Sequence, residues 1–275
     1  MPVRLKKIMS KCNVMMFAAG LGMRLRPATE LNPKPALPLN QIPLGYYALP
    51  YLQNLQIEKF VVNTFHLPKK IHDLYNPIHK NILFSDESGF IKGSGGGLKQ
   101  AEKYLNSNLP ILTMNADEIF FTEENNFIQN AIAEHHTTNA LATLIVTEHP
   151  EAGSKFGGIW CEPNSNKVIH IGKDRPNETA KAWHFIGLQI LSPTVLKLIP
   201  ENTETNIFYD VLIQYLKTET IQIYDIKCDW YEVGNIQDYK TAKSEINLKL
   251  SANAFYKNHF EKLNQFPQSK LGDLT

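Results

Sequence analysis

The sequence predicts an α/β protein of three layers, helices on both faces of a mixed and mostly parallel sheet. Two observations carry this. Short apolar runs of strand length alternate with helical stretches through the first half of the chain, the spacing that right-handed crossovers between parallel strands require. The first run, residues 14–18, ends at once in a glycine-bearing turn, Ala19-Gly20-Leu21-Gly22. A buried strand that ends this way delivers bare backbone N–H groups to one edge of a sheet.

Taken in order, residues 14–18 suffice for one buried strand. Behind the turn come Arg24 and Arg26, then Lys34 between Pro33 and Pro35, with Pro38 beyond. The prolines remove donors and keep the segment out of a helix. Fixed positive charge beside a strand end suits a polyphosphate. A G-x-G after a strand also occurs in dinucleotide-binding oxidoreductases, but that reading expects a helix directly after the turn, and residues 29–38 lack one. Leucines at mixed three- and four-residue spacing predict a helix over residues 42–57, kinked or split at Pro50. Residues 59–64 read as a strand, 68–75 as a short helix and 82–84 as a brief strand.

Residues 92–101, KGSGGGLKQA, fail as a Walker A loop, because Lys99 lacks a preceding Gly and Gln100 replaces the Ser or Thr that holds magnesium. They fail as a dinucleotide fingerprint because Leu98 stands where the third Gly belongs. Placed ahead of a helix expected at 99–105, the glycines instead suit the approach of a flat base to backbone. Residues 110–114 are a strand ending in Asn115-Ala116-Asp117, which sets a carboxylate in the crevice where parallel sheets bind ligands.

A helix is expected over 123–136 and a strand over 141–147. His135 and His136 diverge by about 100° on a helix, which makes a poor metal pair and suggests surface residues. From Gly153 the texture changes to short strands, with 168–171, 185–191 and 221–226 extended and 207–216 an amphipathic helix. In the extended segment 229–235, Trp230 and Glu232 share one face while Asp229 and Tyr231 share the other. A polar-rich helix then runs to about residue 264, and the tail 271–275 is expected to be disordered.

Composition narrows the function. The 275 residues carry a net charge of +1 with Lys, Arg, Asp and Glu fairly evenly spread, which disfavours a nucleic-acid partner bound through a broad basic surface. No run approaches the ~20 apolar residues of a membrane helix, so no membrane partner is expected. Cys12, Cys161 and Cys228 form no C-x-x-C pair, which points to a reduced, cytoplasmic protein without structural zinc. The basic start (Arg4, Lys6, Lys7) reads as a solvated N-terminal extension, residues 1–12, and 246–275 as a C-terminal helix and tail.

The segment 14–39 resembles the signature of the sugar-phosphate nucleotidyltransferases, roughly L-A-A-G-x-G-x-R-L-x-P-x-T followed by P-K-P. The match runs through Ala18, Ala19, Gly20, Gly22, Arg24, Leu25, Pro27, Thr29, Pro33, Lys34, Pro35 and Pro38. Short members acting on N-acetylmuramate 1-phosphate or on hexose 1-phosphates are the most similar. The resemblance covers residues 13–242 and implies a Rossmann-like nucleotide-diphospho-sugar transferase fold. It also implies a transferase domain at 13–245, with a nucleotide-binding half (13–150) and a sugar-binding half (151–235).

By resemblance, Ala18, Ala19, Gly20, Gly22, Met23, Gly95, Gly96, Gly97 and Asn115 bind nucleotide. Arg24 and Lys34 are catalytic, gripping pyrophosphate and α-phosphate. Gly157, Lys173 and Trp230 bind sugar phosphate, although Gly172 replaces the family's Glu before Lys173, and Asp174-Arg175 precede Pro176. Asp117 and Glu232 ligate Mg2+. Ala116 stands for the family's Gly and Glu232 for its Asp. The implied partners are a nucleoside triphosphate and a sugar 1-phosphate, UTP being favoured, in sugar-nucleotide and cell-wall synthesis. A GTP-dependent hexose or heptose enzyme, and a catalytically weak sugar-nucleotide-binding regulator, stay open, as does a homo-oligomer.

Overall fold

The computed structural model describes residues 11–274; Arg4, Lys6 and Lys7 of the basic start lie outside them. The strands are β1 (Lys11–Phe17), β2 (Pro38–Leu39), β3 (Ile42–Pro43), β4 (Gln56–Thr64), β5 (Ile82–Asp86), β6 (Ile111–Asn115), β7 (Ile119–Phe121), β8 (Ala142–Thr147), β9 (Gly158–Cys161), β10 (Val168–Gly172), β11 (Lys181–Leu191), β12 (Ile221–Asp225) and β13 (Asp229–Tyr231). The α-helices are α1 (Ala28–Leu31), α2 (Pro68–Tyr75), α3 (Gly93–Ala101), α4 (Phe127–Thr137), α5 (Ile213–Tyr215), α6 (Ile236–Ala252) and α7 (Ala254–Leu263).

Strand β1 is central because it is apolar on both faces. Cys12, Val14 and Met16 enter one core while Met15 enters the other, as a strand covered on both sides requires. The nine-stranded sheet runs β10-β9-β11-β6-β1-β4-β5, with β8 beside β11 and β12 beside β8. The pairs β1/β4, β1/β6, β4/β5 and β8/β12 are parallel. Strand β11 runs antiparallel to β6, β8 and β9, so residues before and after 150 share one sheet. The expected mixed, mostly parallel architecture is what the chain adopts. No helix of the described residues is long and apolar enough to cross a membrane.

Several elements differ from the sequence expectation. Residues 42–57 are not a helix: they form β3, two short 3-10 turns (Leu44–Tyr46, Leu49–Leu52) and the start of β4. Every residue from 42 to 52 is buried, so there is no solvent face for an amphipathic helix, and Pro43 and Pro50 break the helical ladder. Helix α3 starts at Gly93 and thus contains the glycine run. Residues 207–212 coil as a wide π-turn before α5.

His135 is buried at 3% exposure and its Nδ1 lies 2.9 Å from Thr143 Oγ1, so it is not a surface residue. The C-terminal helix is two helices, divided at the extended Asn253, whose side chain caps α7 by accepting from Phe255 N. Nor is the tail disordered through residue 274. Asp273 accepts hydrogen bonds from the backbone of Asn40 and Gln41 and pairs with Lys243. It thereby caps the β2–β3 turn, where Asn40 and Gln41 both hold positive φ.

His135, His184 and His259 are all buried, and burial lowers each pKa to about 4. The folded chain keeps these rings neutral, whereas the unfolded chain protonates them near the ordinary histidine value of 6.5. Their contribution to stability is complete above that value and drains as pH falls towards 4. Thermal melts are therefore expected to show Tm dropping between pH 6.5 and 4, and His259→Gln to flatten the slope. A Tm independent of pH across that window would contradict the assignment.

Candidate active site

The turn after β1 is held from below by a chain of polar contacts that the sequence did not reveal. Ala18 N donates to Asn63 Oδ1 at 2.8 Å, Asn63 Nδ2 donates to Glu87 Oε1 at 2.7 Å, and Lys92 N donates to Glu87 Oε2 at 2.7 Å. Burial raises the Glu87 pKa, opposed by the hydrogen bonds from Lys92 N and Asn63. This relay ties the strand-end turn to the start of α3. Gly22, at φ +61°, makes the turn; a Cβ there would meet Thr29 Cγ2 at 2.7 Å. Thr29 Oγ1 closes it by donating to Gly22 O at 2.9 Å. Gly20 has open space on its Cβ side.

Above the turn, the end of β6 lies against the end of β1, because Ala116 N donates to Phe17 O at 3.0 Å. The φ of Ala116 is not positive, so its methyl group replaces hydrogen at that position without strain. The next residue, Asp117, accepts from Lys34 Nζ at 2.5 Å, with the two side chains 32% and 14% exposed. Lys34 follows Pro33, which holds an extended conformation and starts a short 3-10 turn.

A cavity of about 280 Å³ opens here, lined by Ala18, Gly20, Gly22, Met23, Arg24, Lys34 and Asp117 and by Gly234 from the C-terminal motif. Gly234 brings the two ends of the chain together: a Cβ on it would lie 2.2 Å from Glu232 Oε1 and 2.6 Å from Arg24 Nη2. Only a residue without a side chain lets this acid and this base crowd the same point. Backbone N–H groups and the cations of Arg24 and Lys34, with Asp117 just past the end of β6 and Glu232 just past the end of β13, supply the chemistry that suits a phosphate chain.

Other expected site residues fall elsewhere. Gly95, Gly96 and Gly97 do not line this cavity; Gly96 lines a separate one with Lys92 and Lys99. The Cβ directions of the three glycines are filled by Thr205, by Thr203 O and by Asn63 with Glu87, and Gly95 N and Gly96 N donate to Thr205 O. A Cβ at any of the three would have to displace a neighbour, so α3 packs here as closely as glycine allows. Gly157 faces Tyr209 Oη, a Cβ there lying 3.1 Å from it. Lys173 is exposed beyond β10; neither it nor Gly157 lines the cavity.

Asn115 donates to Glu118 Oε1 at 2.8 Å, and Trp230 Nε1 donates to Glu118 Oε2 at 3.0 Å. Glu118 is thus a site residue that sequence reasoning missed. Its pKa is raised to about 7, by burial first and then by the charge of Asp117. Among the described residues no three acids, histidines or cysteines gather as a metal cluster.

The family model described as "Nucleotidyl transferase" matches residues 13–249. The chain is 26% identical over 242 residues to a UTP–glucose-1-phosphate uridylyltransferase of Synechocystis, a match covering 82% of this chain and 61% of that protein. It is 29% identical over 235 residues to a mannose-1-phosphate guanyltransferase of Schizosaccharomyces pombe, covering 82% and 62%. The chain therefore spans less than two thirds of the length of these curated relatives.

Among solved structures, a UDP-glucose pyrophosphorylase of Acinetobacter baumanii superposes with TM-score 0.71 at 18% identity, covering 92% of this chain and 98% of the other. An inositol-1-phosphate CTP transferase of T. maritima superposes with TM-score 0.69 at 17% identity, covering 94% and 97%. These likenesses establish the nucleotide-diphospho-sugar transferase fold.

The two kinds of glycine separate in a stability measurement. Gly97→Ala, which drives a methyl into Asn63 and Glu87, is expected to cost about 1–3 kcal/mol in urea unfolding. Gly20→Ala, facing open space, is expected to change stability by less than about 0.5 kcal/mol. Equal costs would contradict the packing described.

Proposed function

The chain belongs to the nucleotidyl transferase family, and from that premise we propose that it joins a nucleoside triphosphate to a sugar 1-phosphate. The products are a nucleoside diphosphate sugar and pyrophosphate, and UTP is the favoured donor. The observation that supports this most is the cavity in which Gly20, Gly22, Arg24, Lys34 and Asp117 converge. It supplies N–H donors and fixed cations for phosphate, with a carboxylate opposite.

A phosphate oxygen of the sugar 1-phosphate attacks the α-phosphorus, and the bond to the bridging oxygen of the β-phosphate breaks as pyrophosphate leaves in line. Little covalent work falls to the protein, so positioning and charge neutralisation supply most of the rate. Lys34 neutralises the α-phosphate and Arg24 holds the departing pyrophosphate. Gly20 and Gly22 admit the triphosphate to backbone. Trp230, Gly157 and Lys173 belong to the sugar side in this reading.

The residues fit Mg2+. Asp117 already faces a cation, the ammonium of Lys34, and Glu232 is partly buried behind Gly234. Two carboxylates are hard oxygen donors that leave room for water and phosphate oxygens around the ion. When bound, Mg2+ supplies charge neutralisation across the phosphates and orients them. Free, separated thiols at Cys12, Cys161 and Cys228 suit a reduced, cytoplasmic setting.

Pyrophosphate release measured across four triphosphates and a panel of sugar 1-phosphates tests this reading. UTP with one sugar 1-phosphate is expected to turn over, EDTA to stop it and Mg2+ to restore it. Lys34→Ala is expected to lower turnover on the order of 10²–10³-fold. A folded Lys34→Ala protein with wild-type turnover would remove the role given to Lys34.

A further inference from the structure

Strands β7 and β13 pair antiparallel in the register Ile119↔Tyr231, Phe120↔Trp230 and Phe121↔Asp229. Continued by one residue, that register sets Glu118 opposite Glu232. Like charges directly opposed across an antiparallel pair repel, and the charge of the neighbouring Asp117 bears on Glu118 as well. The ladder stops at this point, and the Glu118 carboxylate is turned aside. One oxygen accepts from Asn115 Nδ2 at 2.8 Å and the other from Trp230 Nε1 at 3.0 Å.

Space for this turn comes from Gly187. It breaks the register of β11 between Phe185 and Gln189, holds φ +80°, and leaves room where a Cβ would lie 2.2 Å from Glu118 Cγ. The indole that takes the carboxylate is itself fixed. His184 lies against it with ring centroids 4.0 Å apart, and Phe156 meets it edge-on at 5.3 Å.

We propose that Glu118 is a positioning residue, held off the cation site by Trp230 and Asn115 and thereby locking the segment of Glu232 to the segment of Asp117. The proposal rests on the transferase reading above for its catalytic consequence, but not for its structural one. Asn115 begins the loop that carries Asp117, and Trp230 lies two residues before Glu232 on the same face. One carboxylate bridging both fixes the separation of Asp117, which lines the cavity, from Glu232, which lies against Gly234 at its edge.

Glu118→Gln sets an N–H group against either Asn115 or Trp230, whichever way the amide lies, and Trp230→Phe removes the indole donor while keeping an aromatic ring in the clamp. The two single variants and their combination are compared by Mn2+ titration without substrates, by kcat and KM for pyrophosphate release, and by Tm. Each single variant is expected to weaken Mn2+ binding and to lower kcat about 10-fold or more, with the KM for triphosphate within about two-fold. The double variant is expected to be no worse than either single, because either single already breaks the bridge through residue 118.

Unchanged Mn2+ affinity in the single variants, or losses that multiply in the double, would overturn the proposal. So would a fall in Tm alone, which is what a packing role gives. A wild-type protein that releases no pyrophosphate contradicts the transferase reading, and the Mn2+ titration still decides this one.

Discussion

The ion pair between Lys34 and Asp117 is the contact on which the site depends. It joins the proline-pinned segment after β1 to the end of β6, 83 residues away in sequence, across a 2.5 Å gap. Both side chains are largely shielded, so the attraction is stronger than that of an exposed pair, while desolvation offsets part of the gain. Such a pair contributes little net stability, and its value lies in geometry. It holds an ammonium and a carboxylate facing one cavity, where the proposed function would have them exchange each other for phosphate and a divalent cation.

Everything around the pair serves to bring two ends of the chain to that cavity. β1, buried on both faces, fixes where the glycine turn begins. The relay Ala18–Asn63–Glu87–Lys92 holds that turn against the neighbouring strand and the start of α3. From the other direction, β13 pairs with β7 directly after the Asp117 loop, and Gly234 lets Glu232 and Arg24 crowd together. The tail closes the assembly through Asp273, which caps the β2–β3 turn a few residues beyond Lys34. Stability in this part of the molecule and placement of the cavity charges are the same set of contacts.

Much of this was legible in the sequence because local rules and tertiary demands agree there. Val14 to Met16 must be buried in any fold, α2 starts on a proline at residue 68, and Asp117 follows an apolar run at a strand end. The failures came where tertiary packing overrides local pattern. Residues 42–52 look helical by leucine spacing, yet all are buried and proline-broken, so period carries no information. Gly95 to Gly97 read as a segment ahead of a helix beginning at 99, but they lie inside α3, since close approach to Thr203, Thr205 and Asn63 offsets their poor helix propensity. His135 carried a readable signal, lying seven residues after Ile128 and four after Ala131 on the buried face of α4. Glu118 carried none, because its position against Glu232 appears only once β7 and β13 are paired.

The central claim is that Lys34 and Asp117 act as one unit at the reacting phosphate. Its most direct test is a cycle of Lys34→Ala, Asp117→Ala and the double variant, read as kcat for pyrophosphate release by folded protein. The account expects the double variant to be about as slow as the slower single one, as catalytic groups acting together behave. Losses that multiply would mean two independent residues, and would contradict it.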